Sequence, residues 1–237
     1  EDGNKLILID TGIGNKQTDK FFSHYHLHGE DSLQSSLNNS GYSLDEVTDV
    51  ILTHLHFDHC GGAVKWKNND RKVLEPVFKN ATFWSNKNHW DWANKANERE
   101  KASFLSNNIS PIEQSGQLKF IERKSQLTKG VFQNIDIFFA DGHTESQMIP
   151  VINYNGQKIA FMADLLPSVG HIPLPYVMGY DTRPLKTLQE KSIFLKLALK
   201  NNYLLYLQHD SKNESCKLQS TEKGIRLKST HPLSDFL

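Results

Sequence analysis

Thr53-His54-Leu55-His56-Phe57-Asp58-His59-Cys60-Gly61-Gly62 is the stretch that decides how this chain folds. Three histidines and an aspartate fall within six residues, directly after the apolar run Val50-Ile51-Leu52. Imidazole and carboxylate at that density are costly to bury unless something binds them, and a metal ion is the obvious partner. In an extended or turning segment His54 and His56 point to the same side. Asp58 and His59 lie one turn further on and can face a second ion. Imidazole with carboxylate suits zinc, and also iron, manganese or cobalt. No cysteine stands among the expected ligands, which argues against a purely structural zinc site.

Working outward, three more ligand-type residues close an apolar strand. His143 follows Ile135 to Ala140, Asp164 follows Lys158 to Ala163, and His209 follows Tyr203 to Leu207. Strand C-termini cluster at one rim of a sheet in α/β architectures, where ligands bind. A lone histidine at a strand end is usually an ordinary hydrogen-bonded group, so His143 and His209 gain weight only from their company. His24, His26 and His28 alternate in a polar loop with no carboxylate in register and read as solvated. Of the remaining histidines, His171 in Gly170-His171-Ile172-Pro173 is kept as a pocket residue.

The other elements follow from local pattern. Lys5 to Ile9 reads as a strand buried on both faces. A helix is expected from Asp31 to Asn38, capped by Asp31 or Ser32. Ser43 with Glu46 forms a capping box that starts another. Residues 65 to 130 are polar and rich in tryptophan, lysine and asparagine. They read as an insertion over the core, with a helix from Asn86 to Phe104 and another starting at Pro111, and insertions often carry specificity. Asn155-Gly156 is a two-residue hairpin signal between Met148 to Tyr154 and Lys158 to Ala163. Pro184 to Lys200 is an amphipathic helix. The whole chain is expected to be one domain, 1–237.

Composition narrows the function classes. Lysine plus arginine and aspartate plus glutamate number 27 each in 237 residues, and 38% of the residues are hydrophobic. A formal charge of zero argues against nucleic acid or an anionic membrane as main partner. No run of about 18 apolar residues indicates a membrane span. The first residues do not form a signal peptide, and two cysteines make no disulfide framework, so a cytoplasmic location is expected, with a removed leader left open.

The motif residues His54-x-His56-x-Asp58-His59 with Gly61-Gly62 resemble the metal motif of the metallo-β-lactamase superfamily. Ile9-Asp10-Thr11-Gly12 resembles that family's first strand and turn, Asp141-Gly142-His143-Thr144 its third metal-binding segment, Ala163-Asp164 its bridging aspartate, and Gln208-His209-Asp210 its last histidine. The resemblance implies a four-layer αββα sandwich of the α/β class. It implies that His54, His56 and His143 hold one metal, that Asp58, His59 and His209 hold the other, and that Asp164 bridges them. Zinc is the expected metal. Lactonases and methyl-parathion-hydrolase-like enzymes are the most similar branch, and related enzymes suggest a homodimer.

Two departures from that pattern stand out. Only about five residues precede Leu6, where family members carry further strands, so the expectation is either a first sheet that lacks strands or a truncated form of the chain. Pro167 occupies the position where lactonases of the best-known type carry a tyrosine, which leaves Tyr176 or Tyr180 to enter the pocket instead.

The resemblance implies a hydrolase in which two ions hold a hydroxide and polarise the bond attacked. Asp58 would be ligand and proton relay. A lactone or carboxylic ester is the expected small-molecule substrate, with Trp66, Trp84, Trp90, Trp92 and Ile172 to Tyr176 as apolar walls. The alternatives are a phosphotriester or phosphodiester hydrolase and a non-catalytic metal-binding protein. Di-iron oxygen reductases of the family carry glutamate where this chain has His56. No Gly-x-Ser-x-Gly elbow offers a serine nucleophile.

Overall fold

The computed structural model describes residues 2–236, which fall into two compact units, Glu1–Glu122 and Arg123–Leu237. The first unit runs β1 (Ile7–Ile9), α1 (Asp19–Phe22), α2 (Leu33–Asn39), β2 (Asp49–Ile51), α3 (Phe57–Cys60), β3 (Val64–Trp66), β4 (Leu74–Pro76), β5 (Thr82–Ser85), α4 (Lys87–Asn94), α5 (Ser106–Gln114) and β6 (Leu118–Phe120). Its main sheet has the order β1-β2-β5-β6 and is parallel throughout, while β3 and β4 form a separate antiparallel pair. Val50, Ile51 and Leu52 are fully buried because β2 is an inner strand. The expectation that β1 is buried on both faces does not hold: its residues are half-buried, as befits an edge strand.

Local chemistry sets the helix limits. Ser32 caps α2, and Ser35 reaches back to the Ser32 amide. The Ser43–Glu46 box closes only a 3-10 turn, since β2 must begin three residues later. The expected helix to Phe104 stops at Asn94. The side-chain oxygen of Asn97 accepts the amides of Arg99 and Glu100, and such bonds compete with helix. The helix expected to start at Pro111 already starts at Ser106. The stretch read as an insertion is also more than that, because β5 and β6 within it supply half of the main sheet. Phe83 anchors β5 in a core that includes Val50, Leu52, Phe78 and Ile112.

The second unit runs β7 (Leu127–Phe132), β8 (Ile135–Ala140), β9 (Gln147–Tyr154), β10 (Gln157–Phe161), α6 (Pro184–Lys200), β11 (Leu204–Tyr206), β12 (Ser215–Thr221) and β13 (Gly224–His231). Its sheet order is the reverse of the chain order, β13 to β7, and its pairs are antiparallel except for β10 with β11. A parallel pair needs a long crossover, and α6 is that crossover. Asn155 and Gly156 take φ 49° and 80°, the left-handed pair that a tight hairpin between β9 and β10 demands. One consequence positions chemistry. Strands β8 and β10 both run antiparallel to β9, and β11 runs parallel to β10, so the C-termini of all three reach the same rim.

Phe138, Ile149, Phe194, Leu195 and Leu205 belong to the core under α6. Lys191 is also buried there. Its ammonium donates to the carbonyls of His171 at 2.9 Å and Pro173 at 3.3 Å, and to that of Tyr176. Burial pushes its pKa down to about 8, opposed by Asp181, so the amine remains protonated at neutral pH and can donate all three bonds. No helix among the described residues is long and apolar enough to cross a membrane.

Phe194 is fully buried and meets the Phe138 ring edge-on at 5.0 Å. Phe194→Ala is therefore expected to cost about 3–5 kcal/mol of stability, read as a lower urea midpoint. A loss below about 1 kcal/mol would contradict this packing.

Candidate metal centre

In the first unit the chain leaves β2, turns through Thr53 to His56 and enters α3, with His56 at its N-cap. His54 and His59 are fully buried and His56 nearly so. Nε2 of His54 stands 3.1 Å from Nδ1 of His56. Two ring nitrogens aimed at each other at that separation suit a shared cation. Asp58 lies in the first turn of α3 with its side chain 37% exposed, and its Oδ2 is 3.5 Å from Nε2 of His59.

Asp10 organises this turn from the end of β1. Its Oδ1 accepts the Thr53 amide at 2.8 Å. Its Oδ2 accepts the Thr53 hydroxyl at 2.7 Å and faces Nδ1 of His59 at 2.8 Å. A carboxylate there holds the proton on Nδ1 and leaves Nε2 of His59 as a lone pair. Once its hydroxyl is given to Asp10, Thr53 can only accept from Nδ1 of His54, 3.1 Å away, which likewise leaves Nε2 of His54 unprotonated. His89 adds a backbone clamp, its Nε2 accepting the Leu55 amide at 2.8 Å.

The glycines of the motif have a steric reason. A Cβ on Gly61 would lie 2.1 Å from the carbonyl oxygen of Ile13, and one on Gly62 2.1 Å from that of Thr11. The turn after β1 is thereby pressed against the end of α3, where Thr11 donates its amide to the His59 carbonyl at 2.8 Å. Cys60 is a buried thiol that donates to the Leu55 carbonyl, and burial pushes its pKa up to about 12, so it is inert at neutral pH.

In the second unit His143, Asp164 and His209 follow β8, β10 and β11 at the common rim. Asp164 presents Oδ2 to Nε2 of His143 at 3.2 Å and Oδ1 to Nε2 of His209 at 3.0 Å. Ala163, just before it, takes φ 42°, a conformation that costs a non-glycine residue roughly 1–3 kcal/mol and recurs at functional sites. Nδ1 of His143 faces Asp181 at 3.1 Å, which again directs Nε2 forward. Asp210 steadies the His209 loop by accepting the amides of Val169, Lys212 and Asn213.

The backbone before His143 is fixed as firmly. Glu190 on α6 accepts the amides of Asp141 and Gly142 at 2.9 Å, and burial raises its pKa. A Cβ on Gly142 would strike Thr187 at 2.2 Å. Burial pushes the Asp141 carboxyl up, but Arg123, paired at 2.6 Å, and Lys186 at 2.8 Å outweigh it and hold the group well below the usual carboxylate range.

The seven expected ligands thus form two ordered sets, four residues in the first unit and three in the second. All offer imidazole nitrogen or carboxylate oxygen, a donor set that fits zinc and related divalent ions. Other expectations change. Trp90 is core, Trp84 donates to Asp49, Trp66 to the Lys16 carbonyl and Trp92 to Glu100. The N–H groups of Trp66, Trp84 and Trp92 are thus spent inside the scaffold, while their rings are only partly buried. Tyr176 and Tyr180 are 61% and 81% exposed, so neither ring is enclosed in a pocket. His171 bonds the Ser168 hydroxyl at 2.8 Å, and His24, His26 and His28 are exposed as expected. Sequence reading missed the orienting role of Asp10, His89 and Asp181. Only Asp10 carried a signal, a carboxylate closing the first apolar strand.

Comparison with known proteins adds a wider frame. The family model described as the metallo-β-lactamase superfamily matches residues 1–209. No curated protein matches the chain. Among solved structures, a probable metal-dependent hydrolase from Staphylococcus aureus is similar with a TM-score of 0.82 and 23% identity, over 98% of this chain and 81% of that one. AidC, a dizinc quorum-quenching lactonase, is similar at 0.76 and 24% identity, over 98% and 78%. An N-acyl homoserine lactone hydrolase with product bound at its catalytic metal centre is similar at 0.63 and 19%, over 88% and 78%.

The Asp141 environment gives a pH test. A folded-state pKa below the unfolded one stabilises fully above the unfolded value of about 4 and is lost as pH falls toward the folded value. In metal-free protein, Asp141→Asn should lose unfolding free energy less steeply than wild type between about pH 5 and 3. Parallel slopes would contradict the Arg123 and Lys186 pairing.

Proposed function

We propose, starting from the premise that this chain belongs to the metallo-β-lactamase superfamily and is a metal-dependent hydrolase, that it cleaves an ester-like bond in a small molecule through two divalent ions. The bond is a lactone or another carboxylic ester, and the ions are zinc. His54, His56 and His143 would hold one ion, and Asp58, His59 and His209 the other, with Asp164 between them.

One observation carries the dinuclear reading. The two oxygens of Asp164 each face a different imidazole Nε2, at 3.2 and 3.0 Å, as a carboxylate does when it spans two cations. Two divalent ions in such a site would polarise the scissile carbonyl and bring the pKa of water near neutrality. The protein's own share is orientation and proton movement. Asp10 and Asp181 hold His59 and His143 in the tautomer that leaves Nε2 bare. Asp58 is the most exposed of the carboxylates in the set and is placed to take the proton from attacking water and return it to the leaving alkoxide. The lactonase activity in the descriptions of two similar structures supports the carbon-ester choice.

The test is a panel of N-acyl homoserine lactone, γ-lactone, aryl ester and phosphotriester with zinc-loaded protein. Lactone or ester turnover well above free zinc is expected, lost on chelation and restored by zinc. Asp58→Asn should reduce kcat by roughly 10²–10⁴-fold. Turnover of the phosphotriester alone, or of none, would overturn the ester reading. His56→Ala should release metal, and unchanged metal content would refute the ligand assignment.

A further inference from the structure

Outside the shared motif residues, one buried carboxylate addresses the metal site of the first unit. Glu100 lies in the turn after α4 and is 3% exposed. Its Oε1 is 3.6 Å from Nε2 of His56, the ring nitrogen turned away from His54. Its Oε2 accepts the indole N–H of Trp92 at 2.8 Å and the side-chain amide of Asn97 at 2.7 Å. Its own amide donates to Asn97, its carbonyl accepts the Ser103 amide at 2.7 Å, and the Ser103 carbonyl accepts the Phe57 amide at 3.0 Å. The carboxylate is thus fixed from both sides, and its segment is tied directly to the first residue of α3.

From this juxtaposition we propose that Glu100 is a positioning residue for His56: its carboxylate charge, 3.6 Å from Nε2, favours the proton on that nitrogen and so commits Nδ1 to the metal. The inference rests on His56 being a ligand. Its physical basis is the choice that a neutral imidazole must make. Only one nitrogen carries the proton, and the hydrogen bond made by the other decides which. His54 and His59 leave Nε2 bare, whereas the His56 ring is turned the other way and needs its proton on Nε2. A neutral partner would set that preference weakly. A buried carboxylate sets it strongly, and it also raises the electron density that the ring offers a cation. The arrangement serves Glu100 too. Burying an ionised carboxylate is costly unless donors or a proton-bearing ring compensate it, and Trp92 and Asn97 are such donors, with the His56 ring 3.6 Å from the other oxygen. The Phe104 ring, 4.8 Å from the His56 ring centroid, helps keep water from this pair.

The test compares zinc affinity, by competition with a chromophoric chelator, and the absorption spectrum of the cobalt(II)-loaded protein, in wild type, Glu100→Gln, Glu100→Ala and His56→Ala. Circular dichroism and thermal unfolding confirm that each variant folds. Glu100→Gln is the decisive variant because it keeps the volume. If its carbonyl stays with Trp92 and Asn97, its amide N–H₂ faces Nε2 of His56, donor against donor, and drives the proton to Nδ1. The expected result is a 10–100-fold loss of zinc affinity in Glu100→Gln and Glu100→Ala with a changed cobalt spectrum. A merely structural role would lower the unfolding temperature without changing the spectrum. Wild-type affinity and spectrum in Glu100→Gln, while His56→Ala loses metal, would overturn the role of Glu100 alone. Retention of metal by His56→Ala would instead overturn the ligand reading beneath it. If Glu100→Ala does not fold, Glu100→Gln decides by itself.

Discussion

The carboxylate of Asp10 carries the constraint on which the first unit's site depends: a buried imidazole must be told which nitrogen to bare. One side chain fixes the Thr53 amide and hydroxyl and the His59 ring at once. It can do so because β1 and β2 run parallel, which brings the end of one strand beside the end of the other. Asp10 itself takes φ 57°, a left-handed conformation that aspartate tolerates better than most residues. Gly61 and Gly62 let the turn that carries it close on α3. Strand pairing, turn strain and side-chain-free backbone all converge on the orientation of a few rings.

The second unit solves the same problem with other parts. Asp181 orients His143, Glu190 pins the backbone just before it, and strained Ala163 delivers Asp164. Its sheet is mostly antiparallel, yet it gathers three site residues at one rim, because β8, β10 and β11 share a direction. A carboxylate held between two imidazoles by the strands that carry them is a form of preorganisation, since the fold itself contributes to ordering those groups.

Much of this was legible in the chain. The ligand positions stood out because polar groups capable of binding metal closed apolar strands, and burial makes that pattern costly without a purpose. Asn155-Gly156 and Pro184 marked a hairpin and a helix start through φ preferences that need no tertiary context. The hairpin β12–β13 was not legible, because its strands carry lysine, glutamine, serine and threonine at their exposed positions and show little apolar contrast. Nor were β5 and β6, each three or four residues long within a polar stretch. Glu100, His89 and Asp181 were invisible for a different reason. Their importance lies in which ring or amide they reach, and that is set only when distant segments pack. The bonds of Trp84 and Trp92 to Asp49 and Glu100 and the burial of Trp90 were hidden for the same reason.

Lys191 carries one further consequence. Its ammonium holds the loop from His171 to Tyr176 through three main-chain carbonyls. Those three bonds read backbone oxygens, which every residue type carries. This part of the loop's restraint therefore survives an exchange of the side chains along it, whether by mutation or by drift.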